Sequence, residues 1–158
     1  MLAPRLAFVL LGAFAAAGCS HALIEGTRVR DTPENRAVLD VVAAMQSALE
    51  AKSADQLLTI VSPNYFEDMG TADPADDFGY DQLKTKILPE SFAAAREVHV
   101  AIEVHDVVVD GEHAWADVRY SSRAWLNVPG GDKWDTRREL NRIELAQVDG
   151  AWLIVSGL

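Results

Sequence analysis

Two Asp-Gly dipeptides, Asp110-Gly111 and Asp149-Gly150, punctuate the final third of this chain, each between alternating apolar residues. That is the strongest short-range signal for a β-hairpin, because a tight two-residue turn needs positive φ and Asp-Gly adopts it at little cost. It predicts four antiparallel strands, Val98–Val109, Ala114–Leu126, Lys133–Val148 and Trp152–Gly157. In the first of them Val98, Val100, Ile102 and Val104 alternate on even numbers, whereas Val107 and Val109 fall on odd ones. A two-residue turn at Asp110-Gly111 sets Val107 opposite Ala114. The rest of the strand then shares that face only through a β-bulge near His105-Asp106, or else the turn is longer. In the last hairpin Asn141, Ile143 and Leu145 share a face with Trp152 and Ile154.

A sheet with an apolar face needs a cover, and the preceding residues supply helices. Thr32-Pro33-Glu34 reads as an N-cap, a first-turn proline and an acid at the positive helix end. Val38, Val41, Val42, Met45, Ala48 and Leu49 then recur at helical spacing to about Ala51. Ser53-Ala54-Asp55-Gln56 is a capping-box pattern for a second, short helix carrying Leu57 and Leu58. Tyr65-Phe66 reads as a brief strand, residues 67–79 as an acidic loop, and Tyr80 to about Leu88 as a third helix that Pro89 breaks or kinks.

The N-terminus carries an address. Met1–Arg5 is a short basic stretch, and the apolar run Leu6–Ala17 is shorter than the ~20 residues a membrane-spanning helix needs. It ends in Ala16-Ala17-Gly18-Cys19, small residues before the only cysteine of the 158-residue chain. This resembles the lipobox of bacterial lipoproteins, with Ala16 where leucine is more usual. The resemblance implies cleavage before Cys19, lipidation (palmitate included) of that residue, and anchoring to the cell envelope. Ser20, where an aspartate would favour the inner membrane, suggests the outer one. The expected organisation is a signal peptide over 1–18, a tether over 19–31 and one domain over 32–158. A lone acylated cysteine leaves no thiol for a disulfide. The net charge of −10, or −11 once Arg5 is cleaved away, argues against nucleic acid and against an anionic lipid surface as partners.

Helices first and long antiparallel strands after give an α+β class. With the closing Asp149-Gly150-Ala151-Trp152-Leu153-Ile154, this order resembles the nuclear transport factor 2-like superfamily, which includes ketosteroid isomerase and the SnoaL-like polyketide cyclases. The resemblance implies a cone-shaped sheet with the N-terminal helices on its concave face and a pocket between them. Lining candidates are Met45, Leu49, Phe66, Val118, Tyr120, Asn141, Ile143 and Trp152. By position in Glu67-Asp68-Met69-Gly70, Asp68 matches the isomerases' general base. Met45 stands where their donor tyrosine would be, and Asn141 stands near their second donor's place. Methionine cannot donate, which weighs against proton-shuttling chemistry.

No other motif points to a metal, a cofactor or a nucleophile. His99, His105 and His113 lack ligand spacing. Three functions follow as expectations. One is a lipid-anchored, non-enzymatic binding domain for a small apolar ligand or a protein. The second is a dehydratase, isomerase or cyclase with Asp68 as base and Asn141 polarising a carbonyl. The third is an interaction module using Trp115, Trp125 and Trp134 on the outer sheet face, for a homodimer or another envelope protein.

Overall fold

The computed structural model describes residues 22–158. The expected signal peptide, Cys19 and Ser20 lie outside them. The order is helix α1 (Pro33–Glu50), helix α2 (Ala54–Leu58), short strands β1 (Phe66–Glu67) and β2 (Phe78–Gly79), and a helical stretch. That stretch comprises α3 (Tyr80–Gln82), a π-helical turn (Leu83–Ile87) and α4 (Leu88–Ala94). Strands β3 (Ala95–Asp110), β4 (His113–Leu126), β5 (Lys133–Val148) and β6 (Ala151–Ser156) follow. They form one antiparallel sheet in sequence order, and β1 pairs with β2 at the base of the acidic loop.

Local chemistry explains the helix ends. Thr32 accepts from the Asn35 N–H at the start of α1, with Pro33 in the first turn. At its end the Lys52 N–H reaches the Leu49 carbonyl and the Ser53 N–H reaches Ala48, the paired bonds of a Schellman motif. That motif needs a left-handed residue, and Lys52 takes it with φ +49°. Ser53 caps α2 by accepting from Gln56 N–H.

Of the break or kink expected at Pro89, the break does not occur: α4 runs through it to Ala94. The π turn just before it, closed by Leu88 N–H on the Leu83 carbonyl, is wider than an α turn. A wider turn lets the chain pass the proline ring, which has no N–H to donate. The expected tether also changes at its C-terminal end. Leu23 bridges to Arg30, the Asp31 N–H reaches the Ala22 carbonyl, and Val29 is fully buried in the core.

The long strands carry the bulge. Val104 faces Val118 and Asp106 faces Asp117, so His105 is the extra residue. The first hairpin differs from the expected register: its turn is Gly111-Glu112, flanked by Asp110 and His113, so Val107 meets Ala116 and Ala114 meets Val109. Gly111 takes φ +60° while Asp110 remains in the strand, as a hairpin with glycine at its first turn position requires. The second turn is the expected one, with Asp149 at φ +49° and Gly150 at +82°. Two further register shifts, at Arg96 and at Val155, were not foreseen.

The core lies between α1 and the inner sheet face. Val38, Val42 and Met45 join Val118, Ile143, Leu145, Trp152 and Ile154 in one buried cluster that also takes in Leu57, Val61 and Tyr65. Ala114 and Ala116 on the same face leave room for the helix to approach.

Candidate functional site

The residues expected to line an inner pocket divide. Met45, Val118, Ile143 and Trp152 are buried against one another, which leaves almost none of their surface for a ligand. Leu49, Tyr120 and Asn141 are half-buried. Burial pushes the Tyr120 phenol above its usual range. Phe66 points away from the core and is 53% exposed, so it lines no inner pocket. Asn141 is engaged at both ends: its amide donates to the Gly157 carbonyl at 3.2 Å, and its oxygen accepts from the Arg142 N–H at 2.8 Å. Only the amide nitrogen could polarise a substrate carbonyl, and one of its two N–H groups is already given to Gly157.

Asp68 is exposed, and its carboxylate accepts from the Gly70 N–H at 2.9 Å within a turn where Met69 takes φ +54°. The carboxylate that turns inward is its neighbour. Glu67 accepts from the Tyr65 hydroxyl at 2.9 Å and from the Gly157 N–H at 2.8 Å, and the Leu158 N–H donates to that hydroxyl at 3.3 Å. Burial, with the Glu67 carboxylate adding to it, pushes the Tyr65 phenol far above its ordinary value. A phenol so protonated stays a donor. The pair therefore fastens the end of β6 to β1. Sequence reasoning missed Glu67, although the signal was present. If Tyr65 faces inward, strand alternation sends Phe66 and Asp68 outward and Glu67 inward.

The outer sheet face holds a second constellation. Trp125 and Trp134 are direct cross-strand partners and meet edge to face at 5.1 Å between centroids. The Arg123 guanidinium lies 4.0 Å from the Trp134 ring, and His99 stacks on that ring at 6.3 Å. Nearer the bulge, Arg142 sits 5.5 Å from the Trp115 ring and grips both oxygens of Asp117 at 2.7 and 3.0 Å. That grip holds the Asp117 carboxyl below its usual range. Trp115 and Trp125 are half-buried by these neighbours, and Trp134 is 38% exposed.

Two open hollows mark this face. One, of about 550 Å³, is lined by His99, Ser121, Arg123, Thr136 and Arg138. The other, of about 610 Å³, is lined by His105, Asp117, Arg119, Leu140 and Arg142. The face is thus mixed aromatic and cationic in a chain of net charge −10. Among the described residues no three His, Cys, Asp or Glu side chains come together as metal ligands.

No protein-family model matches this chain. No curated protein matches it in sequence. Solved structures do match in shape. A protein of Kribbella flavida superposes with TM-score 0.66 at 16% identity, over 78% of this chain and 86% of that one. A proposed dehydratase of the NTF2-like family from Streptomyces avermitilis gives 0.61 at 15%, over 78% and 92%. A ketosteroid isomerase-like protein from Erwinia carotovora atroseptica gives 0.65 at 13%, over 80% and 95%. Identities this low show a shared fold.

Proposed function

Starting from an NTF2-like fold, we infer that this chain is a lipid-anchored envelope protein whose domain acts as a non-catalytic docking module for another protein. One observation carries the reading. The inner face, where a fold of this kind would hold a small molecule, is packed by Met45, Ile143 and Trp152, while the outer face presents tryptophans and arginines to solvent. Aromatic residues and arginine are the types enriched where proteins meet. The anchor rests on the sequence, since Leu6–Cys19 has the form of a lipoprotein signal.

Dehydratase and isomerase neighbours favour a catalytic alternative by fold alone. Against it, Asp68 caps a turn in solvent, and the Asn141 amide is already engaged in holding the Gly157 carbonyl. Of the expected lining, only the half-buried Leu49, Tyr120 and Asn141 keep surface that the small apolar ligand of the sequence reading could reach.

Two experiments test the reading. Cys19→Ser should release the protein from membranes or leave it uncleaved; unchanged fractionation and processing would end the anchoring half. A photo-crosslinking residue at position 115 should give a discrete protein adduct in cells, and one at Phe66 should not. The docking half fails if position 115 gives no adduct while apolar ligands shift the Met45 methyl resonance.

A further inference from the structure

The first half of β5 has a partner strand on one side only. It pairs with β4 from Lys133 to Ala146, whereas β6 pairs only with Glu144 to Val148. Among the described residues no strand lies along the other side of residues 133–141. The ladder fixes which groups this edge offers. Val148 and Ala151 flank a two-residue turn and so share hydrogen bonds, which directs the even-numbered residues of β5 towards the β6 side. Trp134, Thr136, Arg138 and Leu140 therefore point their backbone N–H and C=O groups at the open edge. Unpaired strand edges are templates for another strand, and a side-chain pattern decides which strand fits.

We propose that this edge pairs antiparallel with the same edge of a second copy, about a two-fold axis at Thr136. The charge sequence is complementary to itself in that register. Lys133 falls opposite Glu139 of the partner subunit, and Asp135 falls opposite Arg137 of the partner subunit. Opposite charges directly across a ladder stabilise it, and like charges oppose it. Among the described residues Lys133, Arg138 and Glu139 make no ion pair within the chain, and Asp135 pairs only with Arg137 along its own strand.

On the outer face Trp134 comes opposite Arg138 of the partner subunit and diagonal to Leu140 of the partner subunit. Among the described residues Leu140 is the most exposed of the large apolar side chains, at 76%. The neighbouring register, centred on Arg138, sets that arginine against its own copy. A register centred on Arg137 sets that arginine against its own copy and Asp135 against Glu139 of the partner subunit, and one centred on Asp135 sets Lys133 against Arg137 of the partner subunit, so both place like charges across the ladder. Net charge of −10 per chain opposes association at long range. Salt screens it beyond about 8 Å at physiological ionic strength, which leaves contacts within the ladder to decide. An edge this short lies at the small end of specific interfaces, so the dimer forms reversibly with concentration. The inference goes beyond the docking reading and stands whether or not the outer face takes another partner.

The test is a charge swap, read by sedimentation velocity on the full-length chain in detergent, with Cys19→Ser removing the other thiol. Lys133→Glu and Glu139→Lys should each raise the dimer dissociation constant about tenfold or more. The double variant should return it to within about threefold of the parent. The two positions are six residues apart, about 20 Å along a strand, so rescue cannot arise within one chain. All these positions are exposed, and circular dichroism checks that each variant folds. As a second reading, Thr136→Cys should form an intermolecular disulfide, since a hydrogen-bonded antiparallel pair has Cα atoms about 5.5 Å apart. Arg138→Cys should not. A chain that stays monomeric at every concentration and yields no Thr136→Cys disulfide overturns the proposal. So does a dimer that ignores the swaps, and one lost on Trp115→Ala would place the contact on the outer face instead.

Discussion

Strands β3 and β5 are both sixteen residues long, and each leaves one side without a full partner strand. The chain treats those two open sides differently. Along β3 the helix takes the place of a strand. The Val100 N–H donates to the Glu50 carboxylate and the Ile102 N–H to the Gln46 side-chain oxygen, both at 3.1 Å, while Lys52 donates to the Ala95 carbonyl at 2.7 Å. The outer side of β6 is covered too, by the Ser62 N–H on the Ile154 carbonyl and the Ile154 N–H on the Ile60 carbonyl, each at 2.8 Å. Along the first half of β5 no backbone or side-chain group of the described residues caps the edge, and mostly charged side chains stand guard. An amide edge buried or capped belongs to the fold; one left open with a self-matching charge pattern is available to another chain.

Substitutions on the sealed side should act on stability, and those on the open side on association. The largest stability effect is expected from Trp152→Ala, about 3–5 kcal/mol by denaturant unfolding, because the ring is buried with Ile143 and α1. Gly157→Ala comes next, at about 2–3 kcal/mol. Gly157 has φ +92°, and a Cβ there would sit 2.1 Å from the Arg142 carbonyl oxygen, so the tail that Glu67 and Asn141 hold would have to lift. Gln46→Ala, which uncaps the Ile102 amide on the β3 side, should cost about 1 kcal/mol. Trp134→Ala on the open side should change monomer stability by less than about 0.5–1 kcal/mol while weakening the dimer. A large loss of monomer stability there would erase the distinction between the two edges.

The Tyr65–Glu67 fastening adds a pH dependence. The folded Tyr65 pKa is raised from 10.0, so its contribution is complete below pH 10 and is lost as pH rises above it, when the unfolded chain ionises first. Tyr65→Phe should flatten the alkaline fall in stability; an unchanged fall would assign it to other groups, Tyr120 among them.

Much of this architecture was legible in the sequence because the signals were local. Alternating valines, Thr32 before Pro33 and the Asp149-Gly150 turn each specify a backbone geometry, and the parity switch after Val104 points to a bulge near His105-Asp106 or a longer turn, of which the structure has the bulge, at His105. The misread features depend on partners far along the chain. Pro89 stays helical because of a π turn, and Asp110-Gly111 shares a motif with Asp149-Gly150 yet turns one residue later. At the candidate site, analogy favoured Asp68, whereas side alternation from buried Tyr65 pointed to Glu67. The open edge was beyond reach, because how far β6 accompanies β5 is settled by tertiary pairing rather than by either strand's own residues.

Hydrogen exchange of single amides compares the two edges most directly. At low protein concentration the Val100 and Ile102 amides should exchange slowly, and those of Thr136, Arg138 and Leu140 should exchange fast. Raising the concentration should slow the second group and leave the first unchanged. Equal protection of both groups in the dilute protein would mean that the chain covers its own β5 edge. Fast exchange on β5 at every concentration would mean that no second copy ever does.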